Sequence, residues 1–269
     1  MVPFRTTSTR ESFRQRYGPW ALVAGASEGL GEAFALELAE RGLNVALVAR
    51  RRAPLEAAAA RVQGRGVEAL PIVLDLLASN ALRTIEETLD GASANPGLIV
   101  HNAAYAPRGE FLSGKLADWE RALTLNALSP LRFAHHFGQS LSARGGGFIV
   151  MSSLAGFQGT PTLATYAATK AFGRVLAEAL WAEWSPNVDV LASCAGAIAT
   201  PGFLRQAAQG ADASSPHMVA KETLDALGSG PVFVPNVRDR LAQKLLQGLP
   251  RALAVRLMDY GTRKAFDRD

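Results

Sequence analysis

"WALVAGASEGLGEAFALELAERGLNVALVAR" (Trp20–Arg50) decides the fold. Two apolar runs of strand length, "WALVAG" (20–25) and "NVALVA" (44–49), flank a segment with apolar Phe34, Leu36 and Leu38 and a terminal Gly42 suited to ending a helix. The runs are continuously apolar rather than alternating, as in strands buried on both faces. A strand, a helix and a second such strand make a βαβ unit, which belongs to a parallel sheet.

Working outward, the same alternation continues through "ALPIVL" (69–74), "GLIVHN" (97–102), "GFIVMS" (147–152), "VDVLAS" (188–193) and "PVFVP" (231–235). The expectation is an α/β protein: one Rossmann-type domain over residues 1–269, a doubly wound sheet of seven parallel strands with helices on both faces. Three stretches fall outside the alternation. Residues 1–19 read as an N-terminal extension, 201–227 as a mobile substrate loop with a short helix, and 236–269 as a tail of two helices, because Leu241, Leu245 and Leu246 recur at helical spacing.

Hydrophobic content of 48% with 19% charged residues describes a folded globule and excludes a disordered chain. Cys194 is the single cysteine, so no disulfide forms within the chain. No run approaches eighteen apolar residues and the first twenty are polar and Arg-rich, which predicts a soluble, cytoplasmic protein. The net charge of +4 sits at the ends: residues 1–19 are net +3, residues 236–269 net +4, and the remainder net −3. That distribution, without a recognition motif, argues against nucleic acid as a partner.

The first strand runs into Gly25, Gly29 and Gly31 of "GASEGLG" (25–31), a turn that opens a helix. Glycine lets the backbone approach a pyrophosphate, and the helix N-terminus offers unspent N–H groups and a positive dipole end. The residue ending the second strand then separates cofactors: an acid bonds the ribose of NAD, an arginine accommodates the 2′-phosphate of NADP. Here Arg50, Arg51 and Arg52 follow the strand with no carboxylate among them, favouring NADP(H) over NAD(H). Glu28, beside Gly29, opposes that preference unless its carboxylate turns away from the phosphates.

"YAATK" (166–170) sets a phenol and an ammonium four residues apart, one turn apart on a helix face. A nearby positive charge stabilises phenolate, and a phenol can donate or recover the proton that carbonyl chemistry needs. "SS" (152–153) ends the strand before it. By alternation only one of the two serines faces the site, and would hydrogen-bond the developing oxyanion. His101, His135 and His136 lack metal-ligand spacing and no metal is expected, while Cys194 reads as a buried strand-end residue.

Glycine turn, arginine cluster and Tyr/Lys pair occur in the order of the classical short-chain dehydrogenase/reductase family, which this sequence resembles from about Pro19 to Pro235. "HNAA" (101–104) resembles the family's "NNAG", "AGAIAT" (195–200) its "PGxxxT", and Ser153 precedes Tyr166 by the family interval of thirteen residues. The resemblance implies a site of Ser153, Tyr166, Lys170 and Asn126, the asparagine positioning a water that links Lys170 to solvent. It implies cofactor contacts from Gly25, Ser27, Gly29, Leu30, Gly31, Arg50, Arg51, Asp75, Asn102, Ala103, Tyr166, Lys170, Gly196, Ile198 and Thr200. Ala104 and Ala195 depart from the motifs without removing a reactive group.

The activity so implied is interconversion of a ketone or aldehyde with an alcohol. Leu154, Phe157, Phe203 and Leu204 suggest a lipophilic substrate, steroid-, retinoid- or 3-oxoacyl-like. A catalytically silent NADP(H) sensor on the same fold is the competing reading. Family members form homodimers or homotetramers, and the tail, with Leu253, Val255, Leu257 and Met258 among basic residues, is expected to cover a neighbouring subunit, with peripheral membrane contact as the alternative.

Overall fold

Seven parallel strands in the order β3-β2-β1-β4-β5-β6-β7 form the sheet of the computed structural model, which describes residues 10–266. The strands are β1 (Trp20–Ala24), β2 (Asn44–Ala49), β3 (Ala69–Val73), β4 (Pro96–His101), β5 (Gly146–Ser153), β6 (Val188–Ala195) and β7 (Val232–Phe233). The helices are α1 (Arg10–Tyr17), α2 (Gly29–Glu40), α3 (Arg52–Gln63), α4 (Ala81–Gly91), α5 (Leu116–Leu123), α6 (Ser129–Arg144), α7 (Ala164–Glu183), α8 (Pro201–Leu204), α9 (Pro216–Ala226), α10 (Val237–Gln247) and α11 (Arg251–Phe266).

Alternation along each strand divides the core in two. Ala21, Val23, Val45 and Leu47 pack with Phe34 and Leu38 of α2, Leu55 of α3 and Leu224 of α9. Leu22, Ala24, Ala46 and Val48 point the other way, with Ile85 of α4, Phe133 of α6 and Ala177 of α7. Burial on both faces explains why the strands read as unbroken apolar runs. Strand order reverses between β1 and β4, and there the crevice at the carboxyl ends of the strands takes ligands in open α/β sheets.

Two expectations change. Of the N-terminal extension, residues 1–9 lie outside the described residues, while α1 is part of the core: Phe13 and Tyr17 are buried with ring centroids 4.6 Å apart. Asp189 of β6 accepts hydrogen bonds from Arg16 Nε at 3.0 Å and the Tyr17 hydroxyl at 2.9 Å, fastening α1 to the sheet. The stretch 201–227, expected as a mobile loop with a short helix, carries two helices, α8 and α9, and α9 buries Val219, Ala220, Thr223 and Leu224. The tail forms the two expected helices up to Phe266, beyond which residues 267–269 lie outside the described residues.

Candidate active site

Strand β5 delivers both serines to the carboxyl edge of the sheet, and α7 returns across it. Ser152, the buried one, donates from Oγ to the Lys170 carbonyl at 2.8 Å and so pins α7 to the strand. Ser153 faces the other way: its Oγ accepts from Ala155 N at 3.2 Å, and it lies close enough to Tyr166 to lower the phenol's pKa against the larger effect of burial. Tyr166 and Lys170 lie one turn apart on α7, with the Lys170 Nζ 5.5 Å from the Tyr166 ring centroid. The structure thus brings Ser153, Tyr166 and Lys170 together and turns Ser152 out of the group.

Lys170 is buried, and Nζ donates to the Met151 carbonyl at 2.7 Å. Burial lowers its pKa to about 8, against a weaker opposing influence from Cys194. Tyr166 is shifted the other way: burial raises its pKa, and the influence that lowers it is the neighbouring Ser153. The expected depression by Lys170 is not what governs the phenol in this arrangement, since the ammonium is turned to a backbone carbonyl. Below the pair, burial and the Lys170 charge lower the His101 pKa to about 3, so its ring is neutral, with Nε2 2.8 Å from Ser129 Oγ. Cys194 is buried, with its thiol pKa raised to about 11 by burial, which makes it a poor nucleophile.

Asn126 sits in a π-helical segment, Thr124–Leu128, between α5 and α6. Its Oδ1 accepts from Tyr105 N at 2.8 Å, and its Nδ2 donates to Tyr105 O at 2.8 Å and Thr169 Oγ1 at 3.1 Å. The side chain therefore fixes the segment after β4 to α7, and does not itself reach Lys170. π-helical turns concentrate at functional sites, but the residue pattern gives no sign of this one.

The glycine turn has the properties of a dinucleotide cradle. Gly29 has φ +61°, and a Cβ there would come within 3.0 Å of Thr200 Cβ and Cγ2. A Cβ on Gly31 would overlap the Gly25 carbonyl. Glu28, the N-cap of α2, makes no side-chain capping bond, leaving the first-turn N–H groups unspent. Asn102 Nδ2 donates to Gly25 O at 2.9 Å, and Ala103 N to Ala24 O at 2.8 Å, holding the segment after β4 against this turn. Ser27 and Leu30 lie in the turn and the first turn of α2, while Gly196, Ile198 and Thr200 follow β6 on the opposing side. Thr200 Oγ1 accepts from Phe203 N at 3.2 Å to cap α8. These residues fit a pyrophosphate held between the two segments.

The basic cluster is already engaged. Arg51 Nη2 is 2.9 Å from Glu28 Oε1, and Arg205 Nη2 is 3.9 Å from the same oxygen. Arg50 Nη1 is 3.8 Å from Asp75 Oδ2, whose other oxygen accepts from Leu77 N at 3.0 Å. Glu28 therefore turns to the arginines, and in doing so occupies a guanidinium that a 2′-phosphate would need.

Of the four residues expected near the substrate, Phe157 is buried in the core beneath Arg174, with Leu154 packed against that core. Phe203 and Leu204 lie on α8. Sequence reasoning missed what closes over them. Arg251 Nη1 donates to Phe157 O at 2.9 Å, Ala208 N donates to Ala265 O at 2.9 Å, and the Phe266 ring stacks edge-on to Phe203 at 5.5 Å under Arg108. The tail thus folds back on its own chain. At its root Asn236 Nδ2 donates to Ser214 Oγ at 3.0 Å, Arg238 pairs with Asp212, and the buried Asp239 carboxylate packs against Gly196, where a Cβ would overlap it. Among the described residues, Glu37, Glu40 and His217 come close enough to suggest a cation, but Glu37 is paired with Arg41 at 2.9 Å, and the group lies on α2 and α9 away from the reactive side chains.

The family model for short chain dehydrogenases matches residues 19–209. A 7beta-hydroxysteroid dehydrogenase of Clostridium sardiniense is 34% identical over 227 residues, covering 81% of this chain and 85% of the relative. A solved structure from work on 7beta-hydroxysteroid dehydrogenase stereoselectivity superposes with a TM-score of 0.84 at 25% identity, over 91% of this chain and 98% of the other. A short-chain dehydrogenase from Sphingobium yanoikuyae, solved in complex with NADPH, gives a TM-score of 0.74 at 27% identity over 87% and 98% of the two chains.

Proposed function

Because this chain belongs to the short-chain dehydrogenase family and is an NAD(P)-dependent oxidoreductase, we propose that it uses NADP(H) to interconvert a lipophilic ketone and its secondary alcohol, with Ser153, Tyr166 and Lys170 at the reacting oxygen. The observation that carries this reading is the Lys170 ammonium 5.5 Å from the Tyr166 ring, one turn along α7, with Ser153 ending β5 beside them at the carboxyl edge of the sheet where strand order reverses.

When bound, the nicotinamide supplies or accepts the hydride. The protein's own groups handle the oxygen. Ser153 donates a hydrogen bond that grows stronger as negative charge develops there. Tyr166 gives its phenolic proton to that oxygen in reduction and takes it back in oxidation. Burial keeps the phenol protonated at neutral pH, the form that reduction needs. Lys170 uses one N–H on Met151 and keeps two for the ribose and for the phenolate left after proton transfer. Asn126 acts as a positioning residue for α7 through Thr169.

NADP(H) preference is supported by Arg50, Arg51 and Arg52 directly after β2 and by the NADPH-bound relative. The lipophilic substrate is supported by Phe203, Leu204 and Phe266 over the crevice and by the hydroxysteroid dehydrogenase relative. Homo-oligomerisation is supported by a groove of about 400 Å³ between α6 and α7, lined by Leu131, Ala134, Leu176, Leu180 and Trp184. No described helix is long and apolar enough to cross a membrane, and a cytoplasmic location fits that fact.

Following NADPH absorbance against steroid, retinoid, aryl and 3-oxoacyl carbonyls tests the reading. Turnover of bulky carbonyls that Tyr166→Phe abolishes is expected, and turnover of small charged carbonyls alone would refute the substrate class. Tight NADPH binding with no carbonyl turned over would favour the sensor instead.

A further inference from the structure

The two tail helices present an outer face that the fold leaves uncovered. On α10, Val237, Leu241 and Leu245 recur every four residues and are 62%, 63% and 67% exposed, opposite the side that carries buried Asp239. On α11, Leu253, Leu257 and Tyr260 share a strip across the helix from buried Thr262, with buried Ala254 at the strip's edge. At 3.6 residues per turn Lys264 falls on the α11 strip and Arg256 at its margin, and Lys244 lies beside the α10 strip. All three cations are exposed.

We infer that the outer face of α10 and α11 docks on a bilayer containing anionic phospholipid. Apolar residues at helical spacing with lysine and arginine along the same strip suit a helix lying in the headgroup region, where side chains enter the acyl boundary and cations meet phosphates. Charge complementarity favours this occupant over a second copy of the chain. The tail is net +4, and a two-fold contact would bring two copies of this positive face together. The apolar groove between α6 and α7 already offers a separate surface for a subunit. The inner face of α11 touches Phe157, Ala208 and Phe203, so a docked tail places the substrate crevice at the lipid surface.

The test is co-sedimentation of the full-length protein, without cofactor or substrate, with vesicles of phosphatidylglycerol and phosphatidylcholine or of phosphatidylcholine alone. This readout is independent of the catalytic reading. Binding to the anionic vesicles, weakened by salt, is expected. Each lysine or arginine near such a surface contributes about five-fold in affinity, so the Lys244→Gln, Arg256→Gln, Lys264→Gln variant should lose about a hundred-fold. Leu241→Glu with Leu257→Glu should lose binding while retaining the far-ultraviolet spectrum and the NADPH affinity. Absence of binding to anionic vesicles, equal binding to both compositions, or unchanged binding by these variants would overturn the inference. Leucine variants that halve the particle mass in light scattering would overturn it in favour of a subunit contact.

Discussion

Replacing Glu28 by Gln should improve NADPH binding, because the carboxylate holds the guanidinium that the 2′-phosphate needs. Arg51 Nη2 lies 2.9 Å from Glu28 Oε1, with the two side chains 52% and 35% exposed. To reach Arg51, the phosphate must either break this pair or sit beside a carboxylate. An ion pair this exposed contributes about 0.2–1 kcal/mol. Repulsion between the carboxylate and each phosphate charge about 5 Å away in a water-like medium adds ~1 kcal/mol. The combined penalty of about 1–2 kcal/mol corresponds to roughly five- to thirty-fold in Kd.

Fluorescence titration of both reduced cofactors, without substrate, measures it. Glu28→Gln should tighten NADPH by that factor at low ionic strength, less at high salt, and leave NADH within about two-fold. Stability should move the opposite way, losing about 0.3–1 kcal/mol, because a negative charge at the positive end of α2 is removed. Arg51→Gln should cost more NADPH affinity in the Glu28→Gln background than in the parent, a coupling that a double-mutant cycle isolates. Equal changes for NADPH and NADH, or weaker NADPH binding, would refute the competition.

Tyr166→Phe should lower carbonyl reduction by about 10²–10⁴-fold with NADPH affinity retained, read by initial rates beside cofactor titration. In the cofactor-free protein the Lys170 pKa falls from 10.5 to about 8, so the buried charge is fully present below pH 8 and its cost is relieved as pH rises to the unfolded value. Urea denaturation should show stability gaining about 3 kcal/mol between pH 8 and 10.5 relative to Lys170→Met, and parallel pH profiles would contradict the shift. Asp189→Ala strands the hydroxyl of buried Tyr17 and should cost about 2–3 kcal/mol, whereas Asp189→Asn keeps an acceptor and should cost less.

What the sequence made legible was local. Continuous apolar runs, a glycine turn between strand and helix, and a Tyr/Lys pair one turn apart each encode their geometry within a few residues, and the strands begin and end within two residues of their expected places, β7 being only two residues long. What it concealed depends on distant partners. Residues 10–17 look like a polar extension because six of eight are polar, yet Phe13 and Tyr17 enter the core and the fastening carboxylate is 172 residues from Tyr17. The small residues of α9 look loop-like because their burial is supplied by α2. Glu28 looks misplaced until Arg51 and Arg205 fold onto it.

The tail shows how far such contacts reach into the chemistry. Asp239 packs against Gly196 at the end of β6, where a nicotinamide would be met, and Asn236 and Arg238 hold Ser214 and Asp212 on the returning limb of the same segment. Ala265 and Phe266 hold its tip. The segment that would grip cofactor on one side and substrate on the other is therefore tied at its base and its tip by the last two helices. Any force that moves those helices as a body acts on both binding events at once, since neither end of the segment can shift without breaking a hydrogen bond or a ring contact to the tail. Within this fold, a surface-bound tail would set the position of the substrate loop without touching Tyr166.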